Sequence, residues 1–135
     1  MENITTRTIV IDDYVVINKW WFGWGEKHPP KPTELPNRGL GGVMVEKDGR
    51  PIAANYIYLT NSSMAYLANT ISDPQYKSKD RIEIIQVLLD ECVRRAKALG
   101  CTFIWATSDE RGVIERCKKA GFDVERKQNI IIKSI

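Results

Sequence analysis

The sequence is poor in the residue types that most often announce a metal or redox site. Among its 135 residues there is one histidine, His28, and there are three cysteines, Cys92, Cys101 and Cys117. An odd number of cysteines without metal-type spacing gives neither a disulfide framework nor a zinc ligand set, and it suits a reducing compartment. No apolar run approaches the roughly 20 residues that a membrane-spanning helix needs. The first ten residues carry no basic stretch followed by an apolar core, so no signal peptide is read there and a cytoplasmic location is expected. A charge excess of one sign is lacking too: 20 Lys and Arg against 17 Asp and Glu leave a net charge of +3. Those charges alternate in sign along most of the chain, as on a solvated face, which argues against a dedicated nucleic-acid binder.

What is present suffices for a folded unit. A chain of this length is expected to form one domain, 1–135, burying about two-thirds of the surface its unfolded form exposes. Hydrophobic content of 43% and charged content of 27% are ordinary for a globular protein. Thr8 to Val10 reads as a short strand. Asp12 or Asp13 is placed to cap a helix running to about Trp24, with Val16, Trp20 and Trp24 four apart on one face. The prolines between His28 and Pro36 forbid regular helix and predict an extended, ordered loop. Three strands follow: Gly42–Glu46, Pro51–Leu59 after an Asp48-Gly49 hairpin signal, and Met64–Ser72. They predict an antiparallel meander. After Asp73-Pro74 and a basic loop, Ile85, Leu88/Leu89, Cys92, Ala96 and Leu99 repeat at helical intervals until Gly100. A buried-type strand is expected over Cys101–Thr107, a second helix over Arg111–Lys119, and a closing strand over Asn129–Lys133.

This order of elements, and two local motifs, resemble the GNAT superfamily of N-acyltransferases along nearly the whole chain. The first motif is Ser72-Asp73-Pro74-Gln75-Tyr76-Lys77-Ser78-Lys79-Asp80-Arg81-Ile82, similar to the strand–loop–helix that wraps the pyrophosphate of acetyl-CoA. The second is Glu115-Arg116-Cys117-Lys118-Lys119-Ala120-Gly121-Phe122, similar to the family's late helix ending in Tyr-x-x-x-Gly-Phe. The tryptophan-rich helix and Pro-rich loop also resemble small bacteriophage-encoded proteins. The resemblance implies an α/β (α+β) fold with a mixed, mainly antiparallel sheet and helices on both faces. It implies acetyl-CoA as co-substrate, with pantetheine lying between splayed strands at Ala68–Ser72 and Phe103–Thr107. Ile71, Ser72, Lys77, Ser78, Lys79, Asp80 and Arg81 would then contact the cofactor. Backbone N–H groups near Ile71 and Ser72 would polarise the thioester for direct attack by an amine.

The sequence departs from the family at several of these positions. Where the phosphate loop reads (Q/R)-x-x-G-x-(G/A), this chain places Asp80 and Ile82 at the two small positions, which close backbone approach favours. Asp80 and Glu83 also fit a capping box, which would occupy the N–H groups a phosphate uses. Lys77, Lys79 and Arg81 offer cations in compensation. Cys117 stands where the family commonly has a tyrosine acid: it is either the proton donor or a small residue on the inner face of its helix. Tyr76 is the other candidate acid. Asn69 or Thr70 could order a water as base, or simply complete sheet hydrogen bonds. Trp21, Trp24, His28 and Arg38 are the candidate acceptor-site residues. The tryptophans divide between core and cleft, since neighbours on a helix differ by about 100°.

The expected activity is acyl-CoA-dependent N-acyl transfer to a small-molecule or peptide amine, with a homodimer left open. A non-catalytic binding or modulating protein on the same fold, using its tryptophan-rich face, is the alternative. A nucleic-acid-modifying enzyme is a third reading that the weak charge disfavours.

Overall fold

The computed structural model describes residues 3–108, 111–125, 131–133 and 135. Asp48 and Gly49 take φ of 51° and 82°, the left-handed backbone that lets a two-residue turn match strand twist. They join β2 (Gly42–Lys47) to β3 (Arg50–Leu59), and β4 (Met64–Ser72) completes the meander. β1 (Ile4–Thr8) adds antiparallel to β2, and β5 (Phe103–Ala106) adds parallel to β4. The order is β1-β2-β3-β4-β5. A parallel neighbour requires a crossover, which is supplied by α2 (Arg81–Ala98).

Helices cover both faces of this mixed, mainly antiparallel sheet. Val43 and Val45 of β2, with Ala65 and Leu67 of β4, pack against Ile84, Leu88, Cys92 and Ala96 of α2. On the other face Met44, Ala54, Tyr56 and Ile71 pack against Ile17, Trp20 and Trp21 of α1 (Asp13–Gly23). Leu67 and Ile71 are four apart in one strand, so simple alternation would place them on the same face. They lie on opposite faces because the β3–β4 register shifts by one residue between Ala54 and Tyr56. The extra residue falls where Asn69 takes φ 59°, a conformation asparagine tolerates better than most.

The three α-helices among the described residues end alike. Gly25, Gly100 and Gly121 have φ near +90°, and the next N–H reaches five residues back. Glu26 bonds to Trp21 O, Cys101 to Ala96 O and Phe122 to Cys117 O, each at 3.0 Å.

Several expectations need correction. The first strand is Ile4–Thr8, not Thr8–Val10, because the ladder to β2 ends at Thr8 and Val43. The inward face of α1 is Asp13, Ile17, Trp20 and Trp21, while Val16 and Trp24 are 37% and 50% exposed. Asp13 sets that rotation: its carboxylate is buried, accepts two hydrogen bonds from Arg7 at 2.7 and 2.9 Å, and accepts the Val10 N–H at 2.7 Å. The proline segment is not extended but coils into short turns at Pro32–Glu34 and Pro36–Gly39, with Leu35 buried between them. α2 begins one turn before its apolar repeat, and Leu99 lies exposed at its cap. β5 is shorter and less buried than expected, with Phe103 57% and Trp105 46% exposed, since only β4 pairs with it among the described residues. The expected closing strand Asn129–Lys133 falls partly outside the described residues, and Ile131–Lys133 have no strand geometry. The last helix, α3 (Arg111–Lys119), has the expected bounds.

Candidate functional site

The parallel pairing of β4 with β5 stops at Leu67 and Ala106, while β4 continues five residues to Ser72. Beyond the last pair a cleft of about 540 Å³ opens. Thr70, Ile71 and Ser72 form one wall; Arg81, Ile82 and Ile85 of α2 form a second. Gly112, Val113 and Arg116 of α3 line the third side, and the end of α1 closes the fourth with Trp21, Trp24 and Glu26. The bulge at Asn69 turns Ile71 toward α1, on the side where the end of that helix closes the cleft, with Thr70 and Ser72 beside it at the opening.

Ser72 is the meeting point of three elements. The Trp24 indole N–H donates to its carbonyl at 2.7 Å, and Arg81 Nη2 donates to its hydroxyl at 2.7 Å. The Arg81 guanidinium also lies 4.8 Å from the Trp24 ring centroid, a distance at which cation and π-face attract. Arg81 therefore belongs to the cleft wall, and of the three loop cations only Lys77 and Lys79 stand exposed.

The capping box expected at Asp80 and Glu83 does not form. Asp80 occupies the N-cap position of α2 without a side-chain cap bond. Its carboxylate accepts instead from Lys47 Nζ at 2.5 Å and from the Tyr76 hydroxyl at 2.5 Å, and Lys47 Nζ also donates to Tyr76 Oη at 3.1 Å. Lys47, then Tyr76, hold the Asp80 carboxyl well below the usual carboxylate range. The N–H groups of Ile82 and Glu83 consequently have no acceptor among the described residues. Such a helix N-terminus, with its positive dipole end, favours a phosphate.

Tyr76, considered as an acid, is buried in the core beneath α2 and does not line the cleft. Cys117 is half-buried one turn beyond Val113, and burial raises its thiol pKa; the α3 residues that line the cleft are Gly112, Val113 and Arg116. Asn69 donates from Nδ2 to the Tyr58 hydroxyl at 2.7 Å. Asn55 Nδ2 donates to the Thr70 hydroxyl. Trp21 and Trp24 both reach the cleft, whereas His28 and Arg38 lie exposed in the proline segment away from it. Sequence reasoning missed Lys47, Glu26, Val113 and Arg116. Of these, Val113 and Arg116 could have been found from three-residue helical spacing.

Residues 33–110 match the acetyltransferase (GNAT) domain family, which is more than half the chain. The chain belongs to the GNAT acetyltransferase family. No curated protein matches it in sequence. Solved structures agree on the GNAT fold at low identity. A Trypanosoma brucei acetyltransferase is 17% identical, with 97% of this chain and 100% of that one covered and a TM-score of 0.66. An N-acetylglutamate synthase from Neisseria gonorrhoeae, complexed with coenzyme A and N-acetyl-glutamate, is 17% identical over 86% of this chain and 28% of its own, with a TM-score of 0.68. An aminoglycoside acetyltransferase from an uncultured soil sample, in complex with sisomicin, is 9% identical over 98% and 96%, with a TM-score of 0.70. No helix among the described residues of this GNAT domain is long and apolar enough to cross a membrane.

Proposed function

We propose that this GNAT domain transfers an acyl group, acetyl in the simplest case, from acyl-CoA to an amine. The observation that carries this reading is the cleft opened where β4 outruns β5, with the N–H groups of Ile82 and Glu83, which have no acceptor among the described residues, near one end. The residues fit the ligand in parts. Lys77, Lys79 and the α2 N-terminus suit the diphosphate, while Ile71, Ile82, Ile85 and Val113 suit the pantetheine arm. The Ser72 carbonyl is already taken by Trp24, so pantetheine would bind beside it or displace the indole. In the reaction the amine nitrogen forms the C–N bond, the C–S bond breaks, the nitrogen loses a proton and the thiolate gains one. Positioning of thioester and amine supplies much of the rate.

Outside the lining of that cleft, Tyr58, Tyr66 and Trp105 stand opposite one another across β3, β4 and β5, with ring centroids 6.1 and 4.7 Å apart. Such a row supports a flat acceptor. The non-catalytic alternative keeps a smaller aromatic face, because Trp20 and Trp21 are 5% and 7% exposed while Phe22 and Trp24 remain about half exposed.

Calorimetric titration with acetyl-CoA, followed by thiol-release assays against a panel of amines, tests the proposal. We expect micromolar binding, weakened by joint Lys77→Ala and Lys79→Ala substitution. Absence of both heat and thermal shift at millimolar acetyl-CoA would overturn it.

A further inference from the structure

The β2–β3 turn does more than join two strands. Its closing pair, Lys47 and Arg50, reaches across to both ends of the loop between β4 and α2. Arg50 Nη2 donates to Asp73 at 2.8 Å, and Lys47 Nζ to Asp80 at 2.5 Å. Tyr76 lies between them: its ring centroid is 5.4 Å from the Arg50 guanidinium and 5.8 Å from Lys47 Nζ, and its hydroxyl donates to Asp80. The Lys47 and Asp80 side chains are only 16% and 12% exposed, so this pair is screened less than a surface pair.

Asp80 is where the phosphate loop departs most from its family. A carboxylate at the N-cap would ordinarily turn back and take the N–H of N2 or N3. Here those are the N–H groups of Ile82 and Glu83, and Asp80 leaves them alone. We infer that Lys47 and Tyr76 are positioning residues that hold the Asp80 carboxylate off the α2 N-terminus and neutralise it, so that a diphosphate can take the place of a helix cap. This rests on the acyl-CoA reading above and adds residues from a distant hairpin to it. It also explains how a loop without the two small residues remains compatible with a dianionic ligand: one carboxylate is turned into an internal ion pair.

The test uses the full chain, two probes and a reversal. Binding of acetyl-CoA and of inorganic pyrophosphate is measured by calorimetry for the parent, Lys47→Met, Tyr76→Phe, Asp80→Asn and the Lys47→Met/Asp80→Asn double variant. Thermal melts verify that each is folded. Lys47→Met frees a carboxylate beside the anion site and should weaken both probes about tenfold, as a nearby unit charge at a protein surface does. Tyr76→Phe should weaken them less, since Lys47 remains. Asp80→Asn should bind at least as tightly as the parent, and the double variant should return to within about threefold of it, because the charge that repels phosphate is gone. A double variant as weak as Lys47→Met alone would show that Lys47 merely supports the fold. Weaker binding by Asp80→Asn, or identical affinities throughout, would equally overturn the inference. Parent protein that binds pyrophosphate with the expected variant pattern, but not acetyl-CoA, would sink the acyl-CoA reading alone. Binding of neither probe would sink both.

Discussion

Arg7 and Asp13 form the ion pair on which the docking of α1 turns. Burial by itself raises the Asp13 pKa, but hydrogen bonds from Arg7 and the Val10 N–H outweigh it and hold the carboxyl below its ordinary value. A depressed folded-state pKa contributes stability above the unfolded value of about 4, and that contribution is lost as pH falls through the folded value. Arg7→Met should therefore cost about 2 kcal/mol at neutral pH, less than for a fully buried pair because Arg7 is partly exposed. Urea titrations of parent and variant should converge as the pH is lowered from 7 to 3; a constant difference would show that the pair is not its source. Cys117 poses a different question at the same scale. Burial raises its pKa, so it stays protonated near neutral pH, as a proton donor must. Yet it lies a turn behind the cleft-lining Val113. We expect Cys117→Ala to lose roughly 1 kcal/mol of stability with kcat nearly unchanged. A large fall in kcat with KM for acyl-CoA preserved would restore the acid role.

Among the elements, β4 does the most to shape the site. Its bulge at Asn69 places Leu67 under α2 and Ile71 under α1, and it directs the last three residues of the strand to the cleft. The left-handed φ at Asn69 is open to glycine and asparagine but strains a β-branched residue by about 1–2 kcal/mol. Asn69→Gly should therefore keep both fold and acetyl-CoA affinity, losing only the hydrogen bond to Tyr58. Asn69→Val should lower the urea midpoint and weaken acetyl-CoA binding together. Equal behaviour of the two variants would mean that the bulge does not control the cleft. The ends of α1 and α2 matter for the same reason: Trp24 and Arg81 meet over Ser72 only because their helices stop and start where they do.

For the whole molecule the cleft joins four elements whose lining residues run from Trp21 to Arg116, so ligand binding and folding should be coupled. Acetyl-CoA at a hundredfold excess over its Kd should add about 2.7 kcal/mol to stability. Because Trp24 is half exposed at the cleft and hydrogen-bonded to Ser72, the same titration should change tryptophan fluorescence. Trp24→Phe should abolish most of that change while the thermal shift persists. A fluorescence response undiminished in both Trp24→Phe and Trp21→Phe, the two tryptophans that line the cleft, would place the ligand elsewhere.

Much of this architecture is legible in the sequence because it depends on short-range chemistry. The Asp48-Gly49 turn, the meander, the α2 repeat and the glycines that end α1, α2 and α3 need only local backbone preference and periodicity. The family resemblance around Lys77–Ile82 and Gly121-Phe122 is local in the same way. What tertiary structure decided is where long side chains find partners. Asp80 has a helix N-terminus beside it, so a capping box is the natural reading of its sequence. Lys47, 33 residues away, offers a stronger partner, a cation in a poorly solvated position, and the carboxylate goes there instead. Likewise Asp13 rather than Val16 fixes the rotation of α1, because Arg7 comes to it across the β1–α1 connection. Local pattern names the elements; charges paired across distant segments determine which way their side chains turn.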